Sequence, residues 1–182
     1  MTQKTHTELS DVAIGWLYGI GCSIFAKEVP TGNGIADALG IRTRDEKQTV
    51  YYLEAKKSRS DLICSKQKAV YLNSRGGGET KCYLHLFKMQ GEFVRADSDK
   101  CKDCKQLKEN VWDTGIDFYY FILADGVKIS ASEYPLWGVI NQNGKVIRKA
   151  KRMKREKDTK QLIESIAHVL VYKVFGKLYL PQ

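Results

Sequence analysis

Between residues 34 and 61 the chain reads GIADALGIRTRDEKQTVYYLEAKKSRSD, two apolar runs around a charged centre. That pattern predicts a β-hairpin. With the turn centred on Asp45-Glu46, Asp37 stands directly opposite Glu54. Side chains alternate along a strand. Tyr51, Leu53 and Ala55 therefore form one face, expected to pack on a helix, while Val50, Tyr52, Glu54 and Lys56 form the other. A directly opposed pair shares a face, which brings Asp37 to Glu54 and Lys56.

The flanking segments read as follows. Leu9, Val12, Trp16 and Ile20 recur at helical spacing within a helix predicted over residues 5–18. Thr5 followed by Glu8 fits a capping box. Gly19-Ile20-Gly21 ends that helix; residues 22–29 read as a strand with Cys22 in the core, and residues 30–34 as a turn. Glu28 reads as a polar edge residue. After the hairpin, Ser58 and Asp61 can cap a helix over residues 59–73, on which Gln67 and Tyr71 share a face with Ile63. Residues 117–124, DFYYFILA, form an apolar run suited to a buried central strand, with Trp112 and Trp137 on its flanks. Residues 136–141 and 145–150 flank Asn143-Gly144, a second hairpin signal. A basic run, RKAKRMKREK, leads into a helix over residues 159–175. The helix's apolar set, Leu162, Ile166, Leu170 and Val174, is expected to pack on the domain or on a second copy of it.

Residues 73–110 differ in character. They open on Ser74-Arg75-Gly76-Gly77-Gly78 and supply Cys82, His85, Cys101 and Cys104 as C-x2-H and C-x2-C pairs. This spacing predicts a structural Zn²⁺ site of three thiolates and one imidazole, stabilising a polar loop that has no core of its own. Cys64 is an alternative fourth ligand, an iron–sulfur cluster is an alternative occupant, and His85 read alone fits an ordinary strand histidine. Four protein ligands leave no open position for catalysis.

Composition narrows the partners. At 182 residues and 43% hydrophobic the chain is long enough for one domain with an insert. The formal charge of +9 favours nucleic acid or an anionic membrane. The polar opening MTQKTHTELS and the lack of a long apolar run predict no leader, no membrane span and a cytoplasmic chain. In a reducing compartment five cysteines point to metal or burial more than to disulfides.

Two carboxylates beside an ammonium suit a hard divalent cation, Mg²⁺ or Mn²⁺. Asp37, sixteen residues, then Glu54-Ala55-Lys56 resembles the PD-(D/E)XK nuclease superfamily, with Ala36 where the family's proline stands. Gln67 and Tyr71 resemble the Q-x-x-x-Y motif of its RecB-like members, and EAKKSRSDL looks like the MmcB-like branch, which is linked to DNA repair. The element order, αβββαβ, is also that of the family's restriction-endonuclease-like core. The resemblance covers roughly residues 5–124 without the insert and implies an α/β fold with a mixed central sheet. The residues themselves place that core over 1–72 and 111–150, interrupted by the zinc-binding insert over 73–110 and followed by a basic linker and C-terminal helix over 151–182. The resemblance implies a Mg²⁺-dependent DNA nuclease acting in repair, recombination or mobile-element processing. Asp37, Glu54 and the Ala55 carbonyl would hold the metal, and Lys56 would act on water and the transition state. Glu8 would face the site or serve only as a cap. Lys57, Arg59, Gln67 and Tyr71 would hold DNA. The alternative is a non-catalytic, zinc-containing nucleic-acid-binding protein on a degenerate nuclease fold.

Overall fold

The computed structural model describes residues 3–31, 34–64, 115–130, 134, 136–153 and 159–176. The first helix, α1 (His6–Gly19), opens on a complete capping box: the Thr5 hydroxyl accepts from the Glu8 N–H, and the Glu8 carboxylate accepts from the Thr5 N–H at 2.7 Å. Its buried centre is Leu9, Ala13 and Leu17, with Val12, Trp16 and Ile20 on the margins of that face.

Three antiparallel strands follow, β1 (Ile24–Thr31), β2 (Gly34–Arg44) and β3 (Lys47–Lys56). Asp45 and Glu46 both adopt positive φ, 48° and 62°, as a two-residue type I′ hairpin turn requires. The turn centre sets the register: Arg44 pairs with Lys47 and Ala38 with Leu53. A one-residue slip would turn every β3 side chain to the wrong face, so the site depends on this turn.

After α2 (Arg59–Cys64), β4 (Phe118–Leu123) runs parallel to β3, and β5 (Gly138–Asn141) runs parallel to β4. The short strand β6 (Val146–Arg148) returns antiparallel after the turn at Asn143-Gly144. The described strands make one mixed six-stranded sheet in chain order, β1 to β6. Two apolar layers cover its faces. Leu53, Ala55, Ile122 and Ile140 meet α1 on one side. On the other, Val29, Leu39, Val50, Phe121 and Trp137 join Leu162 and Ile166 of the last α-helix, α3 (Lys160–Val171). Cys22 is buried in the α1 layer, as its apolar neighbours predict.

Two glycines mark where elements approach closely. A Cβ on Gly40 would lie 2.6 Å from Leu17 Cδ2, and one on Gly138 would lie 2.1 Å from the Tyr120 ring and 2.7 Å from the Ala150 backbone nitrogen.

The tail differs from expectation in two respects. Only the first half of the apolar set predicted for the last helix is covered: Leu162 and Ile166 on α3 are buried, whereas Leu170 near its end and Val174 in the π-helical turn that follows (Tyr172–Gly176) are exposed. The basic run is not wholly a solvated linker either. The Arg148 side chain donates to the Trp137 and Tyr134 carbonyls, and Arg152 binds the fully buried Asp117 with its Nε and Nη2 at 3.0 and 2.9 Å. Asp117 Oδ2 in turn accepts from the Val50 N–H, so one carboxylate ties the β3–β4 junction to the tail. Among the described residues no helix is long and apolar enough to cross a membrane.

Candidate active site

The β2–β3 ladder ends at Ala38 and Leu53. One step further on, the strands part, and the Ala55 N–H loses its cross-strand carbonyl. The Asp37 carboxylate takes that donor instead, with Oδ2 at 2.7 Å. Asp37 is thereby fixed at the opening of the sheet by a charge-assisted bond to the E-x-K strand itself. Its other oxygen, Oδ1, makes no hydrogen bond or ion pair among the described residues.

Glu54 and Lys56 lie on the face opposite α1, as alternation from Tyr51, Leu53 and Ala55 predicts. Both are buried, at 1% and 2% exposure. Lys56 Nζ lies 3.4 Å from Glu54 Oε2 and 3.8 Å from Asp61 Oδ1. The Tyr52 hydroxyl, two residues back on the same face, donates to Glu54 Oε1 at 3.0 Å. Asp61 is placed by the start of α2: Ser58 Oγ accepts from the Asp61 N–H, and Asp61 Oδ2 accepts from the Lys57 N–H. The cap read from Ser58 and Asp61 thus has a second consequence, since it presents an additional carboxylate to Lys56.

Glu8 has its carboxylate in the α1 cap, with bonds from the Thr5 N–H and hydroxyl. Those bonds hold its carboxyl below the ordinary range. The α1 residue that reaches Asp37 is His6, its Nε2 3.3 Å from Oδ2. His6 was missed because a lone histidine at a helix start carries no spacing signal; only the packing of α1 across the sheet brings it there. Glu28 falls opposite Asp37 in the strand register, but it adopts φ 56° and its carboxylate pairs with Lys173 at 3.2 Å, so it is an edge residue.

Of the residues expected to hold DNA, Lys57 is exposed beside the site, and Arg59 Nη1 donates to the Lys128 carbonyl. Gln67, Tyr71, Trp112 and the four zinc-site residues Cys82, His85, Cys101 and Cys104 lie outside the described residues. Among the described residues no three His, Cys, Asp or Glu side chains converge closely enough to hold a metal. Two carboxylates are nonetheless enough for Mg²⁺, which keeps several of its waters. The groups that could hold such a cation are Asp37, Glu54 and the Ala55 carbonyl, all oxygen donors of the kind a hard cation selects.

No protein-family model matches the chain, and no curated protein matches it. Among solved structures it is similar to the SPO1766 protein of Silicibacter pomeroyi, described as of unknown function, with a TM-score of 0.56 at 12% identity over 98% of this chain and 94% of that one. At that identity the likeness concerns the fold alone.

Proposed function

We propose that the protein is a Mg²⁺-dependent nuclease of PD-(D/E)XK type that hydrolyses phosphodiester bonds in DNA. The observation that carries the reading is the buried Glu54–Lys56 pair on the strand whose Ala55 N–H donates to the Asp37 carboxylate. Burying an ion pair gains little stability over an apolar pair of equal volume, so such a pair in a sheet core is expected to have another use.

In this reading Asp37, Glu54 and the Ala55 carbonyl hold the cation, and Glu8 only caps its helix. When bound, the cation supplies charge stabilisation at the phosphate oxygens and a more acidic water. The protein's own groups do the rest. The Ala55 N–H and His6 orient Asp37. The Tyr52 hydroxyl holds Glu54 in one rotamer. The Lys56 ammonium, placed by Glu54 and Asp61, offsets the negative charge that grows on the phosphoryl oxygens as water adds to phosphorus. The bond to the leaving oxygen breaks in line; the water's proton passes to solvent, and the leaving oxygen takes one up. Lys57 and the net charge of +9 draw the phosphate backbone in without reading its sequence.

The test is cleavage of labelled single-stranded, duplex and branched DNA, and of RNA, in Mg²⁺, Mn²⁺ or chelator. Metal-dependent cleavage that is lost in Glu54→Ala supports the reading. Binding of all probes with no cleavage in any metal would replace it with the binding-only alternative.

A further inference from the structure

The open sheet has a second recess on the face that carries Glu54 and Lys56. In parallel register Lys56 pairs with Leu123, and Leu123 is a wall of a cleft of about 640 Å³ at the carboxyl ends of β4 and β5. Adjacent strands lie about 4.8 Å apart, so the cleft begins one strand away from the site. Its position, outside the carboxyl ends of parallel strands, is where open α/β sheets take ligands.

The lining is part apolar and part polar, and its charged residues are Lys128, Arg148 and one acid, Asp125. Leu123, Val139 and Ile147 supply the apolar part, and Lys128, Asn143 and Arg148 belong to the polar part. The remaining wall, the turn around Asp125–Lys128, is tied directly to the chain leaving Lys56. Gln3 Nε2 bridges the Lys57 and Asp125 carbonyls, and Arg59 Nη1 donates to the Lys128 carbonyl. Cleft and site therefore share one fixed wall. The volume falls within the roughly 300–1,000 Å³ of small-ligand sites.

A flat apolar group joined to an anionic backbone matches these walls. We propose that this cleft takes one unstacked nucleobase of the strand whose phosphate lies at Lys56. The proposal rests on the nuclease reading for its substrate, and it adds a preference: strands with unpaired bases are favoured, because a base inside a duplex must first leave its stack.

The test is fluorescence anisotropy in chelator with three labelled probes: an oligothymidylate, the same backbone with abasic sites, and a blunt duplex. Two variants block the cleft from different walls, Ile147→Trp and Asn143→Trp. Both positions are exposed, so added bulk falls in the cleft and not in the core. The parent should bind oligothymidylate roughly tenfold more tightly than the abasic strand, equivalent to about 1.4 kcal/mol. Each variant should erase that preference while keeping abasic-strand affinity, which also shows that it is folded. No preference in the parent, or a preference surviving both variants, overturns the proposal. Cleavage of the same probes in Mg²⁺ is scored separately. Cleavage without base preference leaves the nuclease standing and removes the base slot; base preference without cleavage keeps the slot and removes the nuclease.

Discussion

Exchanging Glu54 for glutamine and Lys56 for methionine together should leave the protein at least as stable as its parent, whereas either change alone should be costly. Both side chains are almost fully buried and 3.4 Å apart. Lys56→Met removes the ammonium 3.4 Å from a buried carboxylate, and breaking a buried pair in this way by precedent costs about 3–5 kcal/mol. Glu54→Gln belongs at the low end of that range, because Asp61, 3.8 Å from Nζ and partly exposed, still faces the ammonium. In the double variant no strongly buried charge of the pair is left, and the Tyr52 hydroxyl can still donate to the glutamine carbonyl. Such replacements range from neutral to about 1–4 kcal/mol stabilising. At about 2–4 °C per kcal/mol for a domain of this size, Lys56→Met should lower Tm by roughly 6–20 °C and the double variant should recover all of it. Thermal and urea unfolding of the four proteins close a double-mutant cycle. Additive losses, or single changes costing under about 1 kcal/mol, would refute the claim that this is a tightly coupled buried pair kept at the expense of stability.

Other consequences follow from the same structure. Asp117→Leu removes the acceptor of the buried Val50 N–H and the anchor of Arg152, and should cost about 2–4 kcal/mol in urea unfolding; Asp117→Asn, which keeps an acceptor, should cost about half. Burial pushes the Cys22 thiol up to about 12, from an ordinary 9.0. The native protein should therefore resist alkylation at Cys22 at pH 8, and mass spectrometry should find it modified only after unfolding. The raised value also fixes the sign of its pH effect: its contribution to stability is intact below pH 9 and is lost as the pH rises toward 12. On the proposed nuclease reading, Glu8→Gln should keep cleavage within a few-fold of the parent while weakening the α1 cap. Loss of activity to the Glu54→Ala level, in a protein that still melts cooperatively, would return Glu8 to the site.

The parts of the fold set by neighbours in sequence were the legible ones. Centring the turn on Asp45-Glu46 predicts the observed register, and with it the common face of Glu54 and Lys56 and the packing of Leu53 and Ala55 on α1. The Thr5–Glu8 cap, the central strand at β4 and the hairpin at Asn143-Gly144 likewise depend on a few adjacent residues. What escaped depends on elements far apart in the chain. Asp117 looks like a strand-end residue until Arg152, 35 positions on, reaches it. His6 meets Asp37 only because α1 crosses the end of the sheet. The periodicity that groups Leu170 and Val174 with Leu162 and Ile166 cannot foresee the π-helical turn that takes over at Tyr172, or that Leu170 and Val174 stay exposed. The carboxylate of Asp61 was legible as a cap but not as a partner of Lys56, since that requires knowing how α2 leaves β3.

The most direct measurement is the Mg²⁺ dependence of cleavage, under single-turnover conditions, in the parent and in Asp37→Asn. Asparagine keeps an acceptor for the Ala55 N–H, so the fold and the opening of the sheet should survive, while the charge that would hold the cation is gone. Saturable Mg²⁺-dependent cleavage by the parent, with a loss of at least about 10²-fold in the folded variant, is the predicted result. Cleavage that ignores chelator, or that is unchanged in Asp37→Asn, would contradict a metal-dependent site at Asp37, Glu54 and Lys56.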